Sequence, residues 1–257
     1  MFIDYNRKEF KEVFGCSYDE FRTRYDNLWN SFQEPKQNSM TRKVFKDLNI
    51  DPLNPTYDGL KQYYTSDEFS YILLIDEIKS KRFEISLEQF GIKNALYLFQ
   101  KKNNSYAHIK VLNYGCGAYY HPLELSKYGF NLTFADFNQK YFQFMKKIFS
   151  ESVNFHTIDS DTSLTEIYDY IICQEVLEHV LEPERVLEHL TTHLKSGGYL
   201  SLSTFFDDMN GQDPSHLRKN KDNHYGDDNY WYPLIESKGY KIALYNEGGT
   251  PKIFRKE

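Results

Sequence analysis

The pattern of apolar and polar positions differs between the two parts of the chain. In the first part, apolar residues recur at helical spacing, as at Phe21, Tyr25 and Trp29. Further along, short apolar runs alternate with helical segments, which is typical of a mostly parallel sheet with helices on both faces. The pattern therefore predicts a helical N-terminal cap over residues 1–105 and an α/β domain over residues 106–257.

Start signals mark some helices of the first part. Residues 17–20 (Ser-Tyr-Asp-Glu) form a capping box, in which the serine hydroxyl and the glutamate carboxylate accept bonds from exposed backbone amides. A second signal at residues 86–89 precedes a helix that we expect to reach about residue 101. A third helix is predicted over residues 66–79, and Asp-Pro and Asn-Pro pairs predict a loop at 51–55.

The second part of the chain predicts alternating strands and helices. The predicted strands cover residues 109–114, 131–135, 153–157, 169–173 and 199–204. The predicted helices cover residues 122–127, 139–150, 183–194 and 229–238. Residues 195–198 (Lys-Ser-Gly-Gly) predict a turn, and residues 241–255 predict a closing antiparallel hairpin.

Residues 205–228 have no periodicity and are rich in Asp, Asn, Gly and His. A loop of that length inside a compact domain is often a functional lid. Its acidic and histidine side chains match no recognised metal-binding spacing, so the sequence predicts no metal site. These side chains are Asp207, Asp208, Asp213, His216, Asp222 and His224.

Composition excludes several classes of protein. The net charge of −6 argues against a nucleic-acid partner held by general electrostatics. No apolar run approaches the roughly 18 residues that span a bilayer, and the first residues show no secretory signal. The three cysteines, Cys16, Cys116 and Cys173, are too far apart for a disulfide framework or a cysteine-based zinc site. We therefore expect a reducing, cytoplasmic setting without a membrane partner.

A pair of glycines ends the first predicted strand of the second part. Gly115 and Gly117 allow close approach of a ligand to the backbone at a point where a helix would begin. Asp136 stands 21 residues after Gly115 and ends the next strand, where a carboxylate can accept both hydroxyls of a ribose. A dinucleotide is disfavoured because Tyr120 occupies the position of the third glycine in the dinucleotide-binding pattern.

The wider set of motifs resembles the class I S-adenosylmethionine-dependent methyltransferases over about residues 108–257. The motifs are Val111 to Gly117, Asp136, Val153 to Asp159, Asp169 to Val180 with its Glu-Val-Leu-Glu-His-Val block, and Leu194 to Leu200. The resemblance implies a Rossmann-like, seven-stranded sheet of mostly parallel strands with a C-terminal antiparallel hairpin. It also implies S-adenosylmethionine as the cofactor and S-adenosylhomocysteine as the product.

The resemblance also implies roles for individual residues. The segment from Asn113 through Tyr114, Gly115 and Cys116 to Gly117 would lie along the methionine part of the cofactor. Asp136 would hold the ribose, Phe137 would pack on the adenine, and Asp159 would reach the adenine amino group with Ser160 nearby. Gln174 and Glu175 would border the sulfonium and its methyl group.

Two histidines are candidates for the general base that takes a proton from the acceptor. His179 ends the Glu-Val-Leu-Glu-His block, and His216 lies in the long loop within an Asp-Pro-Ser-His segment. Imidazole titrates near neutrality, which suits this role. Similar Asp-Pro-x-His segments occur over the substrate in relatives that act on sugars and natural products. His224 is a third candidate that also fits a solvated loop residue.

The sequence therefore predicts methyl transfer to an oxygen or nitrogen of a small molecule, such as a natural product, a sugar or another metabolite. We expect in-line displacement beneath the cap and the 205–228 loop, with some cap aromatic residues facing the substrate. Asn113, where the family usually has an acid, and Tyr119, where it usually has glycine, leave a non-catalytic cofactor-binding or scaffold relative as an alternative. A protein or RNA methyltransferase is a further alternative, and the sequence does not indicate the oligomeric state.

Overall fold

The computed structural model describes most of the chain. The described residues are 5, 7–32, 36–79, 92–117, 123–137, 139–158, 164–204, 214–217, 222, 224, 228–244 and 252–257.

Seven strands form one sheet at the centre of the described structure. They are β1 (Lys110–Tyr114), β2 (Asn131–Asp136), β3 (Asn154–Thr157), β4 (Tyr168–Gln174), β5 (Leu194–Ser203), β6 (Tyr240–Leu244) and β7 (Lys252–Lys256). Their order across the sheet is β3-β2-β1-β4-β5-β7-β6. Strands β1 to β5 are parallel, and β7 runs antiparallel to its neighbours β5 and β6. This confirms the predicted seven-stranded α/β sheet with a C-terminal antiparallel hairpin.

Helices precede the sheet and then alternate with its strands. The helices before β1 are α1 (Lys8–Phe14), α2 (Tyr18–Ser31), α3 (Lys36–Asp47), α4 (Tyr57–Tyr64), α5 (Asp67–Lys79) and α6 (Ile92–Leu98). Those that follow are α7 (Glu124–Lys127), α8 (Lys140–Phe149), α9 (Pro183–Thr192) and α10 (Asp228–Ser237), with a 3-10 turn at Leu177–His179. The helical N-terminal region is therefore present, whereas the predicted capping signal at residues 86–89 lies outside the described residues.

The structure differs from the sequence prediction at residues 195–198. The sequence predicts a turn there, but these residues lie within β5, which starts at Leu194. The pairing of β4 with β5 shifts register between Tyr168 and Tyr170, and Gly197 has a φ of +77°. The two glycines therefore form an irregularity inside β5 instead of ending it. The strand continues because β5 pairs with β4 on both sides of this segment.

The N-terminal helices share one hydrophobic core with a face of the sheet. Phe10 of α1 packs edge-on against Phe144 of α8, with ring centroids 5.3 Å apart. Tyr25 of α2 and Tyr71 of α5 lie in the same cluster, with ring centroids 5.4 Å apart. The division of the chain into a cap over residues 1–105 and an α/β domain over residues 106–257 stays a prediction.

A smaller cluster joins the cap to a segment that follows β5. Leu217 is buried among side chains of α3 and α4, including Phe45 and Leu60. The backbone amide of Leu217 also donates to the carbonyl of Glu178, at 2.9 Å. Residues 214–217 are therefore held between the cap and the turn that follows β4.

The predicted capping box at the start of α2 is present. The Ser17 amide donates to Glu20 Oε2 at 2.8 Å, and the Glu20 amide donates to Ser17 Oγ at 3.3 Å. We expect Ser17→Ala to lower the free energy of unfolding by about 1 kcal/mol, because one amide loses its acceptor. Urea denaturation measures this change, and Thr23→Ala at an exposed position inside α2 is the control. An equal loss in both variants would contradict the capping role.

Candidate active site

A cavity of about 390 Å³ opens at the carboxyl ends of β1, β2 and β4. In an α/β sheet this edge, where parallel strands end side by side, is the usual ligand site. Most of the predicted site residues that the structure describes line it, namely Tyr114, Gly115, Gly117, Asp136, Phe137, Glu175, His179 and His216. Side chains of α3, α4 and α5 complete the wall, so the cavity lies between the sheet and these N-terminal helices.

The turn after β1 depends on glycine. Gly115 has a φ of +66°, and its amide donates to the carbonyl of Ala135 in β2 at 2.8 Å. A Cβ atom at position 115 would lie 2.5 Å from Cγ2 of Val176, too close for any side chain. Gly117 also has a positive φ, +48°. The turn can therefore pack against the end of β4 and present its backbone to the cavity.

Asp136 is the anionic centre of this end of the cavity. Its Oδ1 accepts the Phe137 amide at 2.6 Å, and its Oδ2 accepts the Gly117 amide and, at 3.5 Å, the Cys116 thiol. The Gln139 side chain also donates to this carboxylate. Burial raises the pKa of Asp136 to about 6 despite these four donors. At neutral pH the carboxylate is ionised and facing the cavity.

Gln139 was missed by sequence reasoning and lies beside Asp136. It is almost fully buried and lines the cavity. Its Oε1 has no hydrogen-bond partner within the described part of the chain. A buried acceptor of this kind is stabilised by a donor from a ligand. Gln139 stands three residues after Asp136, the last residue of β2. This position close to the end of the strand is the sequence signal that could have identified it.

Glu175 occupies a strained position at the end of β4. Its φ is +54°, a region that costs a residue with a side chain roughly 1–2 kcal/mol. The Ser203 hydroxyl donates to Glu175 Oε1 at 2.7 Å, and the Glu175 amide donates to the Ser203 carbonyl at 3.0 Å. Two bonds to β5 thus fix the carboxylate in the cavity wall. Strain held in this way is typical of functional positions.

The two candidate histidines, far apart in the sequence, meet in the structure. The rings of His179 and His216 lie 4.8 Å apart between centroids. Nδ1 of His179 is 2.9 Å from the carbonyl oxygen of Ser215. Since a carbonyl only accepts, the ring donates from Nδ1, and in the neutral ring the lone pair is then on Nε2. Glu178, fully buried, lines the cavity next to both histidines and was not singled out from the sequence.

Three predicted cofactor residues do not line the cavity. Asn113 is buried in β1, and Cys116 is buried between the two glycines of the turn. Gln174 is buried in the sheet, where its Nε2 donates to Ser201 Oγ at 2.8 Å. Asp159, Ser160 and Tyr119 lie outside the described residues. Their predicted roles, like all the individual site roles, stay predictions.

The remaining loop candidates take little part in the described site. His224 is exposed and is not among the residues that line the cavity. Asp222 is also exposed, whereas Asp207, Asp208 and Asp213 lie outside the described residues.

The strand order, the glycine turn and the acidic residue that ends β2 together define the class I methyltransferase fold. The sequence matches the family described as "Methyltransferase domain" over residues 84–247. The chain belongs to this family, the S-adenosylmethionine-dependent methyltransferases, whose members are enzymes.

Named relatives agree with this assignment, and a solved structure shares the fold. The chain is 30% identical over 114 residues to a ubiquinone biosynthesis O-methyltransferase of Rickettsia conorii, covering 41% of this chain and 38% of that protein. A protein of the same name from Colwellia psychrerythraea is 29% identical over 107 residues, covering 39% and 44%. The chain thus spans less than half the length of these two relatives. The crystal structure of the [4+2]-cyclase SpnF shares the fold, with a TM-score of 0.50 over 77% of both chains at 14% identity.

The cofactor of this family is S-adenosylmethionine, and the cavity residues fit it. The buried Oε1 of Gln139 and the carboxylate of Asp136 offer acceptors side by side for the hydroxyl donors of a ribose. The wall at Gly115 has no room for a Cβ atom, so the turn would present its backbone to the methionine part of the cofactor. Asp136, Gln139 and the turn residues would therefore hold the cofactor.

Among the described residues, no helix is both long enough and apolar enough to cross a membrane.

Proposed function

We propose that this protein transfers the methyl group of S-adenosylmethionine to an oxygen, or alternatively a nitrogen, of a small molecule. One observation carries the proposal: a single cavity is lined by Asp136 and Gly117, which fit the cofactor, and by Glu175, His179 and His216. Cofactor-binding groups and groups suited to proton transfer therefore face the same enclosed space. The name O-methyltransferase of the two relatives favours oxygen as the acceptor.

The cap side of the cavity supports a small, partly aromatic substrate. Tyr57, Lys61 and Tyr64 of α4 and Gln37 and Asn38 of α3 line it. A volume of about 390 Å³ is in the range of pockets that enclose metabolites. A molecule with an apolar body and a few polar groups matches this lining.

The residues of the chain can supply position and proton transfer. When bound, S-adenosylmethionine supplies a methyl group on a positively charged sulfur. Glu175, fixed by Ser203, places a carboxylate where that charge is favoured. The cap walls hold the acceptor in line with the methyl group and limit access of water. His216, with His179 beside it, takes the proton of the acceptor hydroxyl or ammonium.

Two further expectations belong to this proposal. Residues 1–105 act as a cap over the substrate, which is supported by the cavity residues on α3 and α4. The protein acts in the cytoplasm, which is supported by the free state of Cys16, Cys116 and Cys173.

The proposal is tested with purified protein and S-adenosylmethionine labelled in its methyl group. The acceptors are a panel of small phenols, alcohols and amines and, separately, the small-molecule and macromolecular fractions of a cell extract. We expect label in small molecules together with stoichiometric S-adenosylhomocysteine. Cofactor binding without any transfer would favour the non-catalytic alternative, and label confined to the macromolecular fraction would favour a protein or RNA substrate.

The role of His216 gives a separate prediction. We expect His216→Gln to lower kcat by about 100-fold or more, because the step of proton removal loses its acceptor. Calorimetry should show little change in cofactor affinity. His193→Gln at the C-terminal end of α9, away from the cavity, is the matched control and should keep the wild-type rate. A variant at position 216 that is as active as this control would remove His216 from the mechanism.

A further inference from the structure

We propose that Glu178, His179 and His216 form a binding site for a divalent metal ion in the wall of the cavity. The metal site stands on the geometry of these three side chains alone. Its use in the reaction, as the group that binds the acceptor oxygen, rests on the proposed function.

The three side chains converge on one point. One potential ligand atom from each lies within 4.8 Å of the other two. Ligand atoms that bind one ion at about 2.0–2.2 Å in tetrahedral geometry lie about 3.3–3.6 Å apart. Side-chain rotations that move the ligand atoms by up to about 1 Å therefore bring all three to bonding distance. Among the residues that the structure describes, these three form the cluster with this geometry.

The environment of His179 is typical of a metal ligand. Its Nδ1 donates to the carbonyl oxygen of Ser215 at 2.9 Å, which fixes the ring and leaves the lone pair on Nε2. Metal-binding histidines in proteins almost always donate their second ring nitrogen in this way. The contact also fixes the segment that carries His216, because Ser215 precedes it directly.

Glu178 is a buried carboxyl group beside two imidazoles. The residue is 0% exposed, and an ionised carboxylate removed from water is very costly unless a cation or several donors compensate it. A metal ion shared with His179 and His216 is one such cation, and the experiment below tests whether it binds.

The donor set and its position indicate the kind of metal and its use. Two imidazole nitrogens and one carboxylate oxygen suit zinc, manganese or iron more than calcium. Three protein ligands leave at least one coordination position open, as in catalytic sites. Glu178, His179 and His216 all line the cavity, so the open position faces the space of the acceptor.

The site supports a methyl transfer that begins with binding of the acceptor to the ion. The acceptor hydroxyl binds the ion through its oxygen, which lowers its pKa, and its proton passes to a solvent water. The oxygen lone pair then forms a bond to the methyl carbon while the carbon–sulfur bond breaks. The electron pair of that bond stays on sulfur, which gives S-adenosylhomocysteine. In this form of the mechanism the histidines act through the ion instead of accepting the proton.

The expectation of no metal site considered the 205–228 loop by itself. Among the described residues of that loop, His216 is the one that joins the cluster, beside two residues of the turn after β4. Leu217, anchored in the cap, and the Ser215 carbonyl make this juxtaposition, and neither contact is visible in the local sequence.

Metal binding is measured directly on the full chain. Protein treated with EDTA and desalted is titrated with MnCl2 or ZnCl2 by calorimetry, and the bound ion is counted by mass spectrometry. We expect one ion per chain, and at least tenfold weaker binding in Glu178→Gln and His216→Gln. Cofactor affinity, measured in parallel, reports whether each variant is folded.

Two variants in α9 and at its C-terminal end are matched controls. Glu188→Gln removes an exposed acid of α9, and His193→Gln removes one of a pair of histidines at the end of that helix whose rings lie 4.5 Å apart. Both should bind the ion as the wild type does. Loss of the ion in His193→Gln with retention in His216→Gln would place it on the helix surface and overturn the proposal. Absence of binding to the wild type would overturn it as well.

Chelation separates this proposal from the proposed function. We expect EDTA to lower the methyl-transfer rate at least tenfold and added Mn²⁺ or Zn²⁺ to restore it, with cofactor affinity little changed. Full activity of protein shown to be metal-free would overturn the use of the ion while leaving methyl transfer intact. Failure to bind S-adenosylmethionine would instead contradict the proposed function.

Discussion

Asp136→Asn is expected to weaken binding of S-adenosylmethionine by about 1–3 kcal/mol, or roughly 5- to 150-fold. The buried carboxylate accepts from Gly117 and Phe137 on its inner side and lines the cavity on the other. An amide in its place offers one acceptor instead of two and no charge. Calorimetry measures the affinity, and Asp19→Asn at an exposed position of α2 is the control. Unchanged affinity in the Asp136 variant would remove this residue from the cofactor site.

The same substitution should change how the stability of the ligand-free protein depends on pH. Burial raises the pKa of Asp136 from 3.8 to about 6, so between these values the folded protein holds a proton that the unfolded chain has released. The free energy of unfolding therefore falls as pH rises through this window, and above it the ionised carboxylate costs about 3 kcal/mol. The asparagine side chain of the variant does not ionise, so it would remove this cost while it removes the ribose contact. The ionised carboxylate of Asp136 therefore lowers the stability of the ligand-free protein while it supports cofactor binding.

Urea denaturation between pH 5 and pH 7.5 tests this effect of Asp136 on stability. We expect the wild type to lose about 1 kcal/mol more than Asp136→Asn over that interval, since other groups titrate alike in both proteins. Cofactor affinity of the wild type should also decrease below about pH 6, because a protonated carboxyl group accepts hydroxyl donors poorly. Parallel stability curves for the two proteins would contradict a raised pKa at position 136.

The cofactor end of the site could be predicted because its signals are local. Gly115, Gly117 and Asp136 each follow or end a strand whose apolar run is evident, and parallel strands place these ends side by side. Gly115 needs a positive φ and lacks room for Cβ, which explains why glycine stands there. The pairing register of the parallel strands is therefore enough to predict this part of the cavity from the sequence.

At the other end of the site the sequence indicates both histidines as candidates, but their meeting could not be predicted because it depends on tertiary contacts. His216 meets His179 only because Leu217 is buried against α3 and α4 and its amide bonds to Glu178. None of these partners is near in sequence, and a histidine in a polar loop has no periodicity of its own. The same reason applies to Tyr64 of α4, which lines the cavity beside Phe137 and has no local sequence signal for that position.

Local turn chemistry was overridden at Gly197 and Gly198. The pair predicts a turn that separates helix from strand, and Gly197 does adopt a positive φ. A Cβ at Gly198 would lie 2.9 Å from the Asp169 carbonyl oxygen of β4, so the backbones of the two strands approach closely there. Sheet pairing thus extends β5 through a segment whose composition indicates a break.

Gly115→Ala is expected to lower the free energy of unfolding by about 2–5 kcal/mol. A residue with a side chain at this positive φ costs about 1–2 kcal/mol, and forcing a methyl group into packed surroundings costs typically 1–3 kcal/mol. The obstacle is the side chain of Val176, whose Cγ2 and Cγ1 would lie 2.5 and 2.9 Å from the new Cβ. Because Val176 is β-branched and buried, it cannot swing aside. The turn should shift instead, and cofactor affinity should fall with stability.

Gly15→Ala separates the two contributions to this loss. Gly15 has a similar φ of +73°, but a Cβ atom there meets nothing within 4 Å, so only the backbone cost of about 1–2 kcal/mol applies. The double variant Gly115→Ala/Val176→Ala should recover part of the stability lost in Gly115→Ala, because the truncated side chain makes room for the new methyl group. Urea denaturation of the wild type and these three variants gives each difference directly. Equal losses at positions 15 and 115, with no recovery in the double variant, would show that contact between the glycine turn and the end of β4 does not set the geometry of the cofactor site.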